Sequence, residues 1–160
     1  MKVRELMTAH PLSCTLGTTL AKVAKLMWEA DCGVIPVTNE EGRVTGIITD
    51  RDMCIFVAAQ DLPARQIQVG TVATKDVRTC MADDPVLSAL ATMKEYRVRR
   101  LPVVDERGML VGMISFTDIA LAGFRTGKNV ASRTLVETYK SICERSDVPQ
   151  NQVQPELVRR

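Results

Sequence analysis

The sequence has few of the residues from which catalytic and metal sites are usually built. It contains a single histidine, His10, and aromatic residues make up only 4% of the chain. Its five cysteines include no Cys-x-x-Cys pair, which argues against a zinc site and against a disulfide framework. One histidine allows no Ser-His-Asp or Cys-His set, and a Gly-rich phosphate loop is missing. We therefore expect neither catalysis nor a required cofactor.

Long apolar runs and an excess of one charge are also missing. No run approaches the roughly 18 apolar residues needed to span a bilayer, and residues 1–5 lack the apolar core of a signal peptide. The formal net charge of the 160 residues is +2, so nucleic acid or an anionic membrane is not an expected partner. These features predict a cytoplasmic protein.

What the sequence does contain is one pattern written twice. Residues 3–53 align with residues 69–119 without a gap, at an offset of 66 residues. An internal repeat of this kind predicts two units that each bury a face against the other. Identical pairs at this offset include Pro36/Pro102, Gly46/Gly112 and Asp52/Asp118.

Each unit is predicted to follow the order helix, strand, strand, helix after a short extended lead-in. Caps for the two first helices are expected at Thr18 and Asp84. Hairpin strands are predicted over 34–38, 44–49, 101–104 and 110–115, and closing helices over about 51–59 and 117–124. The first helices are predicted from apolar residues spaced i, i+3, i+4 and i+7, namely Leu20, Val23, Ala24 and Met27, and Val86, Ala89, Leu90 and Met93.

This reading divides the chain into a first repeat over 2–60, a linker over 61–68 and a second repeat over 69–125. A short amphipathic helix is expected over 130–145, because Leu135, Tyr139 and Ile142 share one helical face. It could cover an end of the module or take part in a dimer contact. The polar tail over 146–160 is predicted to be disordered.

The stretch that carries the most chemistry is residues 46–52, with its copy at 112–118. Each is read as a buried strand that ends in Thr49 or Ser115 and turns into a helix carrying Asp52 or Asp118. Thr/Ser-x-x-Asp is a capping-box signature. The same position favours a phosphate, since a helix N-terminus offers free donors, and an Asp there can accept ribose hydroxyls. The residues alone leave both roles open.

The whole pattern resembles the cystathionine β-synthase (CBS) domain pair, or Bateman module. The resemblance covers about residues 2–124, although Ala73 stands where the family often has Met. The residues that carry it are the lead-in 3–8, with Ile35-Pro36-Val37 and 46–52 in the first repeat and Leu101-Pro102-Val103 and 112–118 in the second.

This resemblance implies an α/β (α+β) fold of two pseudo-symmetric repeats packed sheet to sheet, here as a stand-alone pair. It implies a regulatory module rather than an enzyme. Such modules bind an adenosine-containing ligand (AMP, ADP, ATP, S-adenosylmethionine or NAD) in the cleft between the repeats. It further implies a flat homodimer and an effector protein that responds to the bound state.

We expect the ligand site to combine the two hydroxyl–carboxylate pairs with apolar side chains for the adenine and arginines for the phosphates. The two copies are unequal, because Arg51 follows Asp50 in the first, whereas several arginines precede Leu101 in the second. Guanidinium groups suit phosphate, so one site should fill tightly and the other be weak, empty or specialised. The candidate residues are Thr49, Asp52, Ser115, Asp118, Ile35, Leu101, Arg51, Arg99 and Arg100.

Two alternatives remain open at the level of sequence. In the first, the chain is a ligand-free structural or interaction module whose hydroxyl–carboxylate pairs are only caps. In the second, less favoured alternative, it binds nucleic acid through Arg97, Arg99, Arg100 and the terminal arginines.

Overall fold

The computed structural model describes residues 1–122, 126–127 and 129–144. Four sequence predictions therefore lie partly or wholly outside the described residues: the end of the second repeat at 123–125, the end of its closing helix at 123–124, position 145 of the C-terminal helix, and the tail 146–160. Within the described ranges, no helix is both long enough and apolar enough to cross a membrane.

The fold is mixed α/β, as predicted, and the main elements of the second unit begin 66 residues after those of the first. Short 3-10 turns occupy Val3–Glu5 and Ala64–Gln66. The helices are α1 Leu20–Glu29, α2 Asp50–Gln60, α3 Val69–Val72, α4 Val86–Tyr96, α5 Phe116–Ala120 and α6 Ser132–Cys143. The strands are β1 Thr8–Ala9, β2 Val34–Thr38, β3 Val44–Thr49, β4 Cys80–Met81, β5 Arg100–Val104 and β6 Leu110–Ser115.

The predicted caps of α1 and α4 are wrong by one residue. The N-cap positions are Thr19 and Pro85, and neither makes a side-chain cap bond. The side chains of Thr18 and Asp84 instead accept hydrogen bonds from the backbone of the preceding turn, from Thr15 N at 3.1 Å and from Met81 N at 2.8 Å. These hydrogen bonds stabilise the turns that immediately precede the two helices.

The lead-in of each repeat pairs with the sheet of the other unit. Strand β1 runs antiparallel to β6, with Thr8 opposite Met113, in a four-stranded sheet of order β1-β6-β5-β4. The equivalent residue of the second lead-in, Thr74, bridges to Ile47 in β3, which otherwise pairs with β2. The two lead-ins therefore cross between the units.

Glycine makes room for these crossings. A Cβ on Gly46 would lie 3.2 Å from the carbonyl oxygen of Thr74, and one on Gly112 would lie 3.2 Å from that of Thr8. Both distances are tighter than ordinary van der Waals contact. The glycine that opens each copy of the strand motif therefore lets the backbone of the other repeat approach closely.

The hydrophobic cores follow the crossing rather than the order of the chain. Val3 and Leu6, from the first lead-in, are buried in the core of the second unit with Leu90 and Ile114. Val69 and Ala73, from the second lead-in, are buried in the core of the first unit. Each packing unit thus combines one repeat with the lead-in of the other.

Helix α6 breaks the symmetry between the units. It packs against α4, and its Leu135 and Ile142 contact the core of the second unit. The first unit has no such cover among the described residues. Ala24, on the predicted apolar stripe of α1, is exposed, whereas its equivalent Leu90 is 1% exposed.

Truncating a crossed lead-in should destabilise the protein. Leu6 is 3% exposed, so Leu6→Ala should lower the free energy of unfolding by about 2–5 kcal/mol. Leu62→Ala, at a position that is 46% exposed, is the control and should cost under about 1 kcal/mol. Urea unfolding measures both, and equal losses would contradict the burial of the lead-in.

Cys14 and Cys80, which occupy equivalent positions in the two repeats, should behave as protonated thiols. Burial raises the pKa of Cys14 to about 11, and burial with the charge of Asp84 raises that of Cys80 to about 12. At pH 8 about one Cys14 in a thousand is then a thiolate. A thiol reagent should label the exposed Cys54 and Cys143 and spare this pair, as read by mass spectrometry of the native protein.

The same thiols should weaken the fold in alkali. Their pKa is higher in the folded chain, so the stability they contribute is present below pH 9 and is lost as pH rises from 9 through 11 to 12. Unfolding at pH 8 and pH 10.5 should show a smaller decline in Cys14→Ala/Cys80→Ala than in the wild type. An equal decline would contradict this pKa effect.

Candidate functional site

Two clefts lie between the units and are related by the 66-residue offset. We call them the Asp52 cleft, of about 440 Å³, and the Asp118 cleft, of about 350 Å³. Val34 and its equivalent Arg100 line both. The Asp52 cleft is also lined by Ile47, Thr49, Thr74, Asp76, Val77, Arg78, Tyr96, Val98 and Arg99. The Asp118 cleft is also lined by Thr8, His10, Pro11, Leu12, Ala30, Cys32, Ile35, Pro36, Met113, Ile114 and Ser115.

At the Asp52 cleft, Thr49 caps helix α2, as predicted. Its Oγ1 accepts a hydrogen bond from Asp52 N at 3.2 Å and donates to Asp52 Oδ2 at 2.7 Å. Both side chains are half-buried. The cap holds the carboxylate in one place beside the start of an 11-residue helix, where the helix dipole favours an anion.

At the Asp118 cleft, Ser115 and Asp118 form a reciprocal capping box on α5. Ser115 Oγ accepts from Asp118 N at 3.1 Å and donates to Asp118 Oδ2 at 2.6 Å. The same carboxylate oxygen accepts from Ser115 N at 3.0 Å. The capping role is therefore confirmed in both copies, and each cap also lines a cleft.

The other candidate residues do not all line the cleft that their position in the chain suggests. Arg99 and Arg100 line the Asp52 cleft, so they lie across from the first copy of the motif. Ile35 lines the Asp118 cleft. Leu101 is fully buried in the second core, and neither it nor Arg51 lines either cleft.

Charge distinguishes the two clefts. Three arginines, Arg78, Arg99 and Arg100, line the Asp52 cleft. The Arg78 guanidinium lies 4.2 Å from the centre of the Tyr96 ring and 2.9 Å from a carboxylate oxygen of Asp76. At the positions equivalent to Arg78 and Tyr96, the Asp118 cleft has Leu12 and Ala30. The Asp52 cleft is thus the more cationic and polar of the two.

We did not predict from the sequence that Arg78, Tyr96 and Asp76 line the Asp52 cleft. Nor did we predict that His10 lines the Asp118 cleft. Arg78 and Asp76 follow the second lead-in, and Tyr96 ends α4. The 66-residue offset was the available signal, because it relates these positions to Leu12, His10 and Ala30. It could not be used without knowing that each lead-in crosses to the opposite unit.

Metal-ligating side chains do not cluster in the part of the chain that the structure describes. No three His, Cys, Asp or Glu side chains there come together in an arrangement that could hold a metal ion. The chemistry that these clefts offer is hydrogen bonding, guanidinium charge and apolar contact.

Comparison with known proteins gives relatives along most of the chain. The chain is 30% identical over 140 residues to hypoxic response protein 1 of Mycobacterium tuberculosis. The aligned region covers 88% of this chain and 92% of that protein. It is 33% identical over 117 residues to homoserine O-acetyltransferase of Methanococcoides burtonii, covering 73% of this chain. The chain spans only 23% of that enzyme's length.

A solved structure resembles the fold closely. The CBS domain pair of protein MJ0100, in complex with 5′-methylthioadenosine and S-adenosyl-L-methionine, superposes with a TM-score of 0.70 at 25% identity. The match covers 80% of this chain and 98% of that one. The family model described as the CBS domain matches residues 3–59 and again residues 69–124. With both repeats matched, the chain belongs to the CBS domain family as a tandem pair.

Proposed function

We propose that this chain is a regulatory module, not an enzyme, that senses an adenosine-containing ligand in the clefts between its two CBS repeats. The observation that carries the proposal is the Asp52 cleft. There a capped helix start, a carboxylate held by the cap and three arginines line one space of about 440 Å³. That set contains a group suited to each polar part of a nucleotide.

In this proposal the phosphates lie at the N-terminus of α2. Backbone donors and the helix dipole favour an anion there, and Arg78, Arg99 and Arg100 supply guanidinium groups for charge-assisted hydrogen bonds. Asp52 accepts hydrogen bonds from the ribose hydroxyls. The adenine packs against apolar wall residues such as Ile47 and Val98. The ligand of this cleft is therefore AMP, ADP or ATP.

The Asp118 cleft suits an adenosine derivative with little or no phosphate. Arg100 is its only arginine among the described lining residues, and most of its wall is apolar, including Ile35 and Leu12. S-Adenosylmethionine has that character, and the MJ0100 pair was solved with this ligand and with 5′-methylthioadenosine. Asp118 takes the role here that Asp52 takes in the other cleft. NAD, whose two nucleotides are joined by a diphosphate, stays among the candidate ligands of the module without being assigned to this cleft.

The mechanism is linkage between ligand binding and the relative orientation of the units. Both clefts have walls from both units, so a bound ligand favours the orientation that fits it. An effector protein that prefers this orientation binds more tightly when the ligand is bound, and it raises the affinity for the ligand by the same factor. The ligand can shift the balance only by its difference in affinity between the two orientations.

The homodimer, the effector protein and a cytoplasmic location belong to the same proposal. Exposed apolar side chains on the second unit, Leu87 and Val136, support a surface for self-association. All five cysteines are free thiols, which suits the reducing cytoplasm.

Thermal unfolding with a ligand panel tests the sensing function. A ligand at 100 times its dissociation constant should raise the free energy of unfolding by about 2.7 kcal/mol. For a chain of this size, Tm should rise by about 5–11 °C. The panel is AMP, ADP, ATP, S-adenosylmethionine and NAD at millimolar concentration. A Tm change below about 1 °C with every ligand would favour the ligand-free structural module.

Conservative variants assign the ligands to the clefts. Asp52→Asn keeps a side-chain acceptor for Thr49 but loses the charge, and should weaken AMP roughly tenfold or more. Asp118→Asn should weaken S-adenosylmethionine instead. Lys22→Ala, at an exposed position of α1 outside both clefts, is the control and should change neither affinity in calorimetric titration. If Asp52→Asn/Asp118→Asn binds both ligands like the wild type, the carboxylates are caps only.

A further inference from the structure

Three of the side chains that line the Asp52 cleft contact one another. They are Asp76, Arg78 and Tyr96, and we call them the Arg78 cluster. The Arg78 guanidinium lies 4.2 Å from the centre of the Tyr96 ring, and its Nη2 donates a hydrogen bond to Asp76 Oδ2 at 2.9 Å. A ring and a carboxylate therefore hold the same guanidinium.

All three members of the cluster differ from their equivalents in the other repeat. At the 66-residue offset, the Asp118 cleft is lined by His10, Leu12 and Ala30 in their places. The first repeat thus builds the corresponding wall of a cleft without these side chains, so the fold does not require them. Three changes that fall on contacting residues of a single cleft indicate a role in binding rather than in stability.

The Arg78 cluster lies where the chain passes from one unit to the other. Thr74 exchanges two backbone hydrogen bonds with Ile47 of the first unit, at 2.9 and 3.0 Å. Strand β4, which follows Arg78, pairs with β5 of the second unit. Tyr96 is the last residue of α4, also in the second unit. A ligand that binds the Arg78 guanidinium therefore acts at the junction of the units.

Asp76 opposes the binding of an anion to this guanidinium. Of the three arginines that line the cleft, only Arg78 forms an ion pair with a carboxylate of the described residues. A phosphate that reaches Arg78 must share it with Asp76 or replace Asp76, because the two anions repel each other. The Asp76 side chain is 79% exposed, so it is free to turn into solvent when a phosphate replaces it.

Tyr96 acts in the opposite direction. The face of its ring attracts the guanidinium but does not compete for the N–H donors that a phosphate needs. The Arg78 side chain, which is 40% exposed, is thereby kept at the cleft even after its ion pair is broken. A guanidinium that is already positioned loses less conformational entropy when it binds.

We propose that Asp76 and Tyr96 set the affinity of the Asp52 cleft for phosphate. Tyr96 positions the Arg78 guanidinium for the phosphate, and Asp76 competes with the phosphate for the same guanidinium. The inference rests on the proposed function, because it takes the phosphates of an adenine nucleotide to lie in this cleft. A nucleoside without phosphate leaves the ion pair intact, so the cluster distinguishes nucleotides from nucleosides.

Removing the carboxylate of Asp76 should strengthen nucleotide binding. Asp76→Asn keeps an acceptor for Arg78 but loses the charge, so AMP should bind about two- to fivefold more tightly, as expected for one exposed charge contact. Adenosine should bind as it does to the wild type. Calorimetric titration measures both affinities, and the gain for AMP should shrink in high salt. Asp76→Ser, a second neutral variant, should show the same gain.

The matched control is Glu40→Gln. It removes one negative charge from an exposed hairpin turn outside both clefts, and it should leave the affinities for AMP and adenosine unchanged. A gain for AMP in this variant as large as in Asp76→Asn would show that net charge, and not competition for Arg78, sets the affinity.

Two substitutions of Tyr96 test its positioning role. Tyr96→Ala introduces the residue type of the equivalent Ala30, and AMP should then bind about two- to fivefold more weakly, as expected for the loss of an exposed cation–π contact. Tyr96→Phe keeps a ring face for the guanidinium and should bind AMP like the wild type. Adenosine should bind all three proteins equally, because the ring acts through Arg78.

Two further results would overturn the inference. If Asp76→Asn and Asp76→Ser bind AMP no more tightly than the wild type, Asp76 does not compete for Arg78. If Tyr96→Ala weakens adenosine as much as AMP, the ring contacts the base and does not act through Arg78. Failure of the proposed function looks different, because AMP would then bind neither the wild type nor the Asp76 variants.

Discussion

The exchange of lead-ins between the two units is the contact on which the rest of the structure depends. Thr8 pairs with Met113 and Thr74 with Ile47, and the glycines that open the two strand motifs leave room for these backbones to meet. The exchange places part of each repeat in the core of the other. It also brings Thr8 and Thr74 to the walls of the two clefts, so the packing that holds the fold together also builds the candidate sites.

The caps and the clefts use the same atoms, and this overlap has an energetic consequence. The first turn of a helix leaves backbone donors without partners, and Thr49 and Asp52 together supply hydrogen bonds at the start of α2. A ligand that binds there meets a carboxylate whose position is already fixed. The conformational entropy of that side chain is lost when the protein folds, so binding does not lose it again.

Local structure could be predicted from the sequence because its causes are local. Alternating apolar residues and Gly-containing turns placed the hairpins to within a residue, and the capping pairs Thr49–Asp52 and Ser115–Asp118 are as expected. The crossing could not be predicted, since nothing in residues 3–8 specifies which of two similar sheets they join. For that reason Arg78 was missed, and the sequence did not indicate that Arg99 and Arg100 line the cleft of the first copy of the motif.

A duplicated unit begins with two equal sites, and the differences between the copies show where each has become specialised. At the clefts, Arg78 and Tyr96 replace the small or apolar Leu12 and Ala30, which concentrates positive charge on one side of the pseudo-two-fold axis. Among the described residues, α6 packs against α4 of the second unit, and α1 of the first unit has no equivalent cover. The two repeats thus share one backbone plan but present different surfaces, both at the clefts and on their helices.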